Sequence, residues 1–318
     1  MELRHDTVLL AEAIDSLMVA PTDTVVDATI GGAGHFMALM EKLGPKGTLI
    51  GIDADHAAIE RAEVSLKTID EKDRPRVALV EDNFQNLASI LASSGAETPN
   101  KILFDLGWSG FQLATGRGFS FRTDEPLLMT YGDPEKSEAT ASDLVNHLSE
   151  TSLADMIFAL GEERFARGIA RSIVALREEN PIMTTFELVA AIEAGVPGWY
   201  RHRRLHPATK TFQALRIGVN DELGALRSGL ASALTALAPN GRVAIITFHS
   251  IEDRIVKAML RDAAYAGQGT LVCKKPIVPS SEELTRNPRA RSAKLRVFER
   301  GTNTNAAFST TSLTSAYA

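Results

Sequence analysis

Four short apolar runs, each reaching a carboxylate at its end and separated from the next by a helical stretch, fix the kind of fold open to this chain. They are TVVDAT (24–29), TLIGID (48–53), VALVED (77–82) and KILFDLG (101–107). The intervening HFMALMEKLG (35–44), a segment capped by Asp55 and running to about Lys67, and a segment near 86–93 have helical spacing or caps. Runs rich in Val, Ile and Leu read as buried strands. Strand–helix alternation then predicts an α/β fold, a doubly wound and mostly parallel sheet. VLLAEAIDSLM (8–18) adds a helix in front.

The next strand, GRVAIITF (241–248), comes well over a hundred residues after the fourth. One crossover helix would suffice to return to the sheet, so a domain is inserted. Residues 140–195 read as wholly helical, with capping-box patterns at Thr184/Glu187 and Ser152/Asp155. The expected division is a sheet domain in two pieces, 1–113 and 207–300, a helical insert over 114–206, and a polar, disordered tail over 301–318. Residues 211–237 read as one long helix returning to the sheet domain, and Ser250/Asp253 as the box opening the helix after the fifth strand. TLVCKKPIV (270–278) and KLRVFER (294–300) read as an antiparallel hairpin at the sheet edge.

No apolar run has the length of a membrane span. MELRHDTVLL lacks the basic-then-apolar order of a signal peptide. The single cysteine, Cys273, excludes an internal disulfide or a multi-cysteine zinc site and suits a reducing cytoplasm. No metal is expected. The net charge of −6 does not announce a nucleic-acid binder, but two basic stretches run against it: WYRHRRLHPATK (199–210) and RNPRARSAKLR (286–296).

The turn DATIGGAGH (27–35), read together with the strand ends after it, bears on the ligand class. A dinucleotide turn needs G-x-G-x-x-G, and starting from Gly32 the third glycine is replaced by Met37. A phosphate loop needs Gly-Lys-Ser/Thr, which is absent from this stretch. What stands is a carboxylate, Asp27, a glycine cluster, and Asp53 closing the next strand at the place where a ribose is held. With Asp82-Asn83-Phe84 and Asp105, four consecutive strand ends are polar, and that edge is where open α/β sheets bind ligands. The pattern fits S-adenosylmethionine (SAM), whose carboxylate suits a helix start. A nicotinamide oxidoreductase and a methyltransferase for a small molecule or protein are weaker alternatives.

The same turn, with HDTVLLAEAI before it, resembles the small-subunit (16S) ribosomal RNA cytosine-N4 methyltransferase family (RsmH, formerly MraW). GIDAD (51–55), ILFDLG (102–107), RGFSF (117–121), GEERFARGIARSIV (161–174), HPATKTFQALRIGVNDEL (206–223), GRVAIITFHSIEDRIVK (241–257) and NPRARSAKLRVFER (287–300) agree in order. The resemblance implies a class I SAM-dependent, Rossmann-like methyltransferase domain with a helical insert. It implies methylation of a cytidine N4 amine in the decoding region of 16S rRNA, with that rRNA in the small subunit as partner, in the cytoplasm, away from membranes; a homodimer stays open. It places Ala33, Gly34, His35, Asp53, Phe84, Asp105 and Gln112 around SAM. Asp105 is also the candidate catalytic group, as acceptor of a hydrogen bond from the target amine. Candidate RNA contacts are Trp108, Arg201, Arg203, Arg204, Arg289 and Arg291. His249 faces the same edge without an assigned role.

The chain departs from the family pattern after strand four, where Trp108, Gly110, Phe111 and Ala114 are unusual, and again at Glu125, Leu128 and Thr130. These positions fall in the loop expected to cover the target base. They leave a second reading, a SAM-binding homologue whose RNA target is altered or lost.

Overall fold

The computed structural model describes residues 6–107 and 116–302. They fall into two compact units that divide between Gly107 and Trp108 and between Leu223 and Gly224. In chain order the first unit supplies α1 (Leu10–Leu17), β1 (Thr24–Asp27), α2 (Gly34–Lys42), β2 (Thr48–Asp53), α3 (His56–Leu66), β3 (Arg76–Glu81), α4 (Leu87–Ser93) and β4 (Lys101–Asp105). The helical unit follows with α5 (Ala141–His147), α6 (Glu150–Gly161), α7 (Ala166–Glu179), α8 (Thr185–Ala194), α9 (Gly198–Arg201) and α10 (Ala208–Asn220). The chain then completes the sheet unit with α11 (Glu222–Ala236), β5 (Arg242–Thr247), α12 (Ser250–Tyr265), β6 (Gly269–Leu271), α13 (Ser281–Arg286) and β7 (Lys294–Arg300).

The sheet has seven strands in the order β3-β2-β1-β4-β5-β7-β6. The pairings among β1 to β5 are parallel, whereas β7 is antiparallel to both β5 and β6. Alternate residues of each strand enter opposite layers, as the two-residue period requires. Val25, Leu49, Leu103 and Ala244 pack with Leu17, Phe36, Leu39, Ile59 and Ala62 of α1, α2 and α3. Val26, Ile50, Ile102 and Ile245 pack with Ile90, Leu230 and Val256 of α4, α11 and α12. Both faces are covered, which is why these strands read as unbroken apolar runs. The helical unit has its own core, including Leu153, Ile157, Ile169, Ile173, Leu188, Ile192, Phe212 and Leu215.

Several sequence expectations are corrected. Residues 211–237 do not form one helix: Asp221 takes a left-handed conformation (φ 42°, ψ 45°) that ends α10 and breaks the hydrogen-bond ladder. α10 packs in the helical unit, where a Cβ on Gly161 of α6 would stand 2.5 Å from the Lys210 carbonyl oxygen. The cap of α6 is Ser149, whose side chain accepts from the Ser152 N–H, so Ser152 lies inside the helix. His249, not Ser250, caps α12: its Nδ1 accepts from the Glu252 N–H, and Glu252 Oε2 accepts from the Phe248 and His249 N–H groups. Asp253 is thereby released to bind Lys294 at 2.9 Å and Arg296 at 2.7 Å. The Thr184/Glu187 box forms as expected. The two late strands are antiparallel neighbours, but β6 is only three residues long and β7 lies inside it, against β5. Among the described residues no helix is long and apolar enough to cross a membrane. The tail from 303 onward lies outside the described residues.

Candidate active site

Strand order reverses at β1, which leads to β2 and β3 on one side and to β4 and β5 on the other. Such a switch point opens a crevice at the carboxyl ends of the strands, and here those ends are Asp27 of β1 and Asp105 of β4. The turn leaving β1 is clipped to its neighbours. The Ala28 N–H donates to the Leu103 carbonyl, and the Ile30 N–H donates to the Ile52 carbonyl. The Asp105 N–H donates to Thr29 Oγ1 at 2.7 Å, joining the turn to the end of β4.

Gly31 (φ 51°) and Ala33 (φ 63°) both adopt left-handed conformations. For alanine this costs on the order of 1–2 kcal/mol. The Gly31 peptide is held on both sides: its N–H donates to Asp53 Oδ2 at 2.8 Å and its carbonyl accepts from Arg61 at 3.1 Å. The Ala33 side chain is buried in the core, leaving its backbone as the part that can meet a ligand. α2 then begins without a side-chain cap on its first amides. Gly34 is required by the protein itself, since a Cβ there would stand 1.8 Å from Thr7 Oγ1. The segment carrying Thr7 is held from the far end of the chain. Glu283 Oε1 accepts from the Leu9 N–H at 2.8 Å, and Asn287 Nδ2 donates to the Asp6 carbonyl at 3.0 Å.

His35 is buried in the first turn of α2, with Nδ1 3.3 Å from Asp105 Oδ2. Burial alone would lower the His35 pKa, but the hydrogen bond and charge of Asp105, with the charge of Asp27 behind it, outweigh burial and raise it. Burial pushes the Asp27 carboxyl up to about 7, against the attraction of His35. Asp27 Oδ2, His35 Nε2 and Asp105 Oδ1 are buried atoms that find no hydrogen-bond partner within the protein. Native interiors rarely leave such groups unsatisfied, so three at one strand edge point to a polar occupant. The uncapped start of α2, which attracts a carboxylate, and these orphaned atoms together fit SAM.

Asp53 lies at the end of β2, where burial raises its pKa to about 6 despite hydrogen bonds from the Asp55 and Gly31 N–H groups. Those two bonds, at 2.9 and 2.8 Å, use one lone pair on each oxygen; the second lone pair of each can still accept from a ribose hydroxyl. After β3, Asp82 Oδ1 accepts from the Asn83 N–H and Asn86 Nδ2, and Asn83 caps the short turn bearing Phe84. The Phe84 ring meets Phe104 edge-on at 5.6 Å and backs onto Gly229 of α11, where a Cβ would stand 2.7 Å from Phe84 Cδ2. Gly107 (φ 96°) turns the chain out of the sheet beside Phe248.

Trp108, Gly110, Phe111, Gln112 and Ala114 lie outside the described residues. Glu125 is structural: its carboxylate accepts from the Gly118 N–H and Thr123 Oγ1, and its N–H donates to Thr185 Oγ1. Thr130 is buried and donates to the Gly132 carbonyl, and Arg117 donates to the carbonyls of Thr130, Tyr131 and Gly132. Leu128 is partly buried in this same ordered loop. Arg201, Arg203 and Arg204 are exposed at and after α9. The second basic stretch divides: Arg289 and Arg291 point outward, while Lys294 and Arg296 are tied to Asp253. Asp27 and Thr29, visible in the turn motif, Thr7 and Asn287, which lie in the HDTVLLAEAI and NPRARSAKLRVFER stretches, and Glu283, which no local pattern marks, complete the frame of the site.

The sequence profile of the MraW methylase family matches residues 2–301. The chain belongs to the MraW methylase family. Two relatives carry the name Ribosomal RNA small subunit methyltransferase H. That of Lachnospira eligens is 43% identical over 316 residues, covering 94% of this chain and 98% of the relative. That of Deinococcus radiodurans is 46% identical over 297 residues, covering 93% of this chain and 89% of the relative. Membership of the MraW family agrees with the Rossmann-like sheet and its polar carboxyl edge, where His35 and Asp105 pair.

Proposed function

We propose that this MraW-family chain is a SAM-dependent methyltransferase acting on the N4 amine of a cytidine in the decoding region of 16S rRNA. The observation that carries the reading is the buried His35–Asp105 pair at the β1/β4 switch point, with unpartnered acceptor and donor atoms around it. The small-subunit rRNA follows the name borne by the two relatives, and the cytidine N4 amine follows the family resemblance of the sequence motifs.

SAM, when bound, supplies an electrophilic methyl group and departs as a neutral thioether. The start of α2, with the backbone of Ala33, Gly34 and His35, would hold its carboxylate; Asp53 would accept from the ribose and Phe84 would offer a face to the adenine. The chain's own work is at the amine. A cytosine 4-amino lone pair is delocalised into the ring, so the amine is a weak nucleophile. Asp105 Oδ1 accepts a hydrogen bond from that amine and draws the nitrogen toward a pyramidal, more nucleophilic geometry. As nitrogen gains its methyl group it becomes cationic and must lose a proton, which Asp105 accepts; the hydrogen bond from His35 to the other oxygen holds the carboxylate in place. The remaining acceleration is alignment of the reacting atoms.

The base must leave its stack to reach this edge. Arg201, Arg203 and Arg204, and separately Arg289 and Arg291, contact RNA phosphates. The use of Glu125 and Thr130 in the loop's own hydrogen bonds favours a loop that has changed its internal wiring and kept its role. The test is incubation of tritiated SAM with small ribosomal subunits lacking the modification, followed by nucleoside analysis. Label recovered as N4-methylcytidine is expected; label elsewhere, or none, refutes the assignment.

A further inference from the structure

The helical unit carries an arrangement that the methyl-transfer chemistry does not use. α7 and the end of α8 approach so closely that a Cβ on Gly168 would stand 2.5 Å from the Gly195 carbonyl oxygen, and one on Gly195 would stand 2.6 Å from Ile169 Cα. This contact sets residues 163–165 against α9. Glu163 is fully buried between them. Its Oε2 accepts from the Tyr200 hydroxyl at 2.6 Å and its Oε1 accepts from the Phe165 N–H at 2.8 Å. The Phe165 ring meets Tyr200 at 4.8 Å and Trp199 at 6.0 Å, both edge-to-face. The Arg164 guanidinium lies 4.6 Å from the Phe165 ring, 4.8 Å from Trp199 and 5.6 Å from Tyr200.

Tyr200 is 4% exposed, yet Trp199 beside it keeps 57% of its surface in solvent. An indole braced by two rings and a guanidinium, and still open, is a prepared stacking surface. Its surroundings set the chemistry of the occupant. Arg164, Arg167, Arg201, Arg203 and Arg204 are all exposed, and residues 198–210 contain no acidic side chain, in a chain whose net charge is −6. Aromatic and guanidinium planes flanked by arginines suit an unpaired nucleotide, whose base stacks while its phosphates meet the cations.

We propose that Trp199 and Arg164 form a stacking platform for an unpaired base of the RNA substrate other than the reacting cytosine. The proposal rests on the rRNA reading above. Trp199 and Arg164 are positioning residues, and Arg203, which lies 5.1 Å from the buried Tyr200 ring, joins the phosphate contacts.

The test uses the full chain and two substrates. The first is a fluorescent oligouridylate of about ten nucleotides, a length that spans one such site. Its affinity is measured across a salt series for the wild type, Trp199→Ala, Trp199→Phe and Arg164→Ala. Trp199→Ala is expected to weaken binding about tenfold with an unchanged salt slope, since a stacked base and no phosphate contact is lost. Trp199→Phe retains most of the affinity. The second substrate is the unmodified small subunit, for which Trp199→Ala raises KM and leaves kcat unchanged. Oligouridylate binding that Trp199→Ala does not weaken, or no binding by the wild type, overturns the platform. Loss of oligouridylate binding by Trp199→Ala in a protein that never methylates the subunit leaves the platform standing and defeats the rRNA reading. N4-methylation with a KM indifferent to Trp199→Ala does the reverse.

Discussion

His35 Nδ1 stands 3.3 Å from Asp105 Oδ2, joining the first turn of a helix to the end of a strand that is not its chain neighbour. Asp105 has one oxygen so engaged and the other without a protein partner. If Asp105 accepts the amine hydrogen bond and then the proton, Asp105→Asn keeps the shape and removes the acceptor charge. At saturating SAM its kcat on unmodified small subunits is expected to fall by roughly a hundredfold. Full turnover by Asp105→Ala under the same conditions removes Asp105 from the chemistry.

Asp27 behind this pair gives a stability prediction with a definite sign. Its carboxyl is raised from 3.8 to about 7 by burial, so between those values the folded chain binds more protons there than the unfolded chain. Stability therefore falls as pH rises across that window. Asp27→Asn keeps an acceptor for the Thr29 N–H and removes the buried charge. Without ligand, it is expected to melt on the order of 5 °C above the wild type at pH 8, with the difference closing toward pH 4. His35, raised above 6.5, adds stability that is full below that value and is lost as pH passes its folded pKa; that share persists in Asp27→Asn only as far as Asp105 alone supports it. Thermal scans of both proteins from pH 4 to 8.5 check the sign.

The turn makes a steric prediction. Gly34→Ala drives a methyl group into Thr7 Oγ1, 1.8 Å from its ideal position. The variant is expected to lose SAM affinity by at least tenfold in calorimetric titration and to melt lower. Adding Thr7→Ala removes the nearest atom and leaves the Thr7 Cβ at 3.0 Å, so the double variant recovers part of both losses. No recovery would show that the glycine serves the ligand and not the N-terminal segment.

That segment is anchored by Glu283, whose carboxylate is the partner of the buried Leu9 N–H. Glu283→Ala orphans the amide and is expected to cost about 1–3 kcal/mol, read as a lowered midpoint in urea. SAM affinity falls with it, because the N-terminal segment carries Thr7 against Gly34.

Phe84 offers a test of the adenine face. The ring rests on Gly229, with no room for a methyl group. Gly229→Ala is expected to displace the ring and weaken SAM binding severalfold while helping α11, since alanine favours helix over glycine by about 1 kcal/mol. Unchanged SAM affinity in a variant with an altered near-ultraviolet dichroism spectrum would exclude Phe84 from the cofactor site.

The sequence alone determined the layering of this protein and the address of its site. Alternation of apolar strands with helices set a mostly parallel sheet, the long gap before GRVAIITF required an insert, and carboxylates at consecutive strand ends marked the ligand edge. These features are periodic or local, so they survive in one dimension. Tertiary structure decided what depends on residues distant in the chain. It broke the expected helix at Asp221, moved the α12 cap to His249 and so freed Asp253 for Lys294 and Arg296. It set Thr7 against Gly34 through Glu283 and Asn287, and it brought Arg164 beneath Trp199 through two facing glycines. Local propensity is silent on such pairs because their energy comes from contacts that exist only after the chain has closed around them.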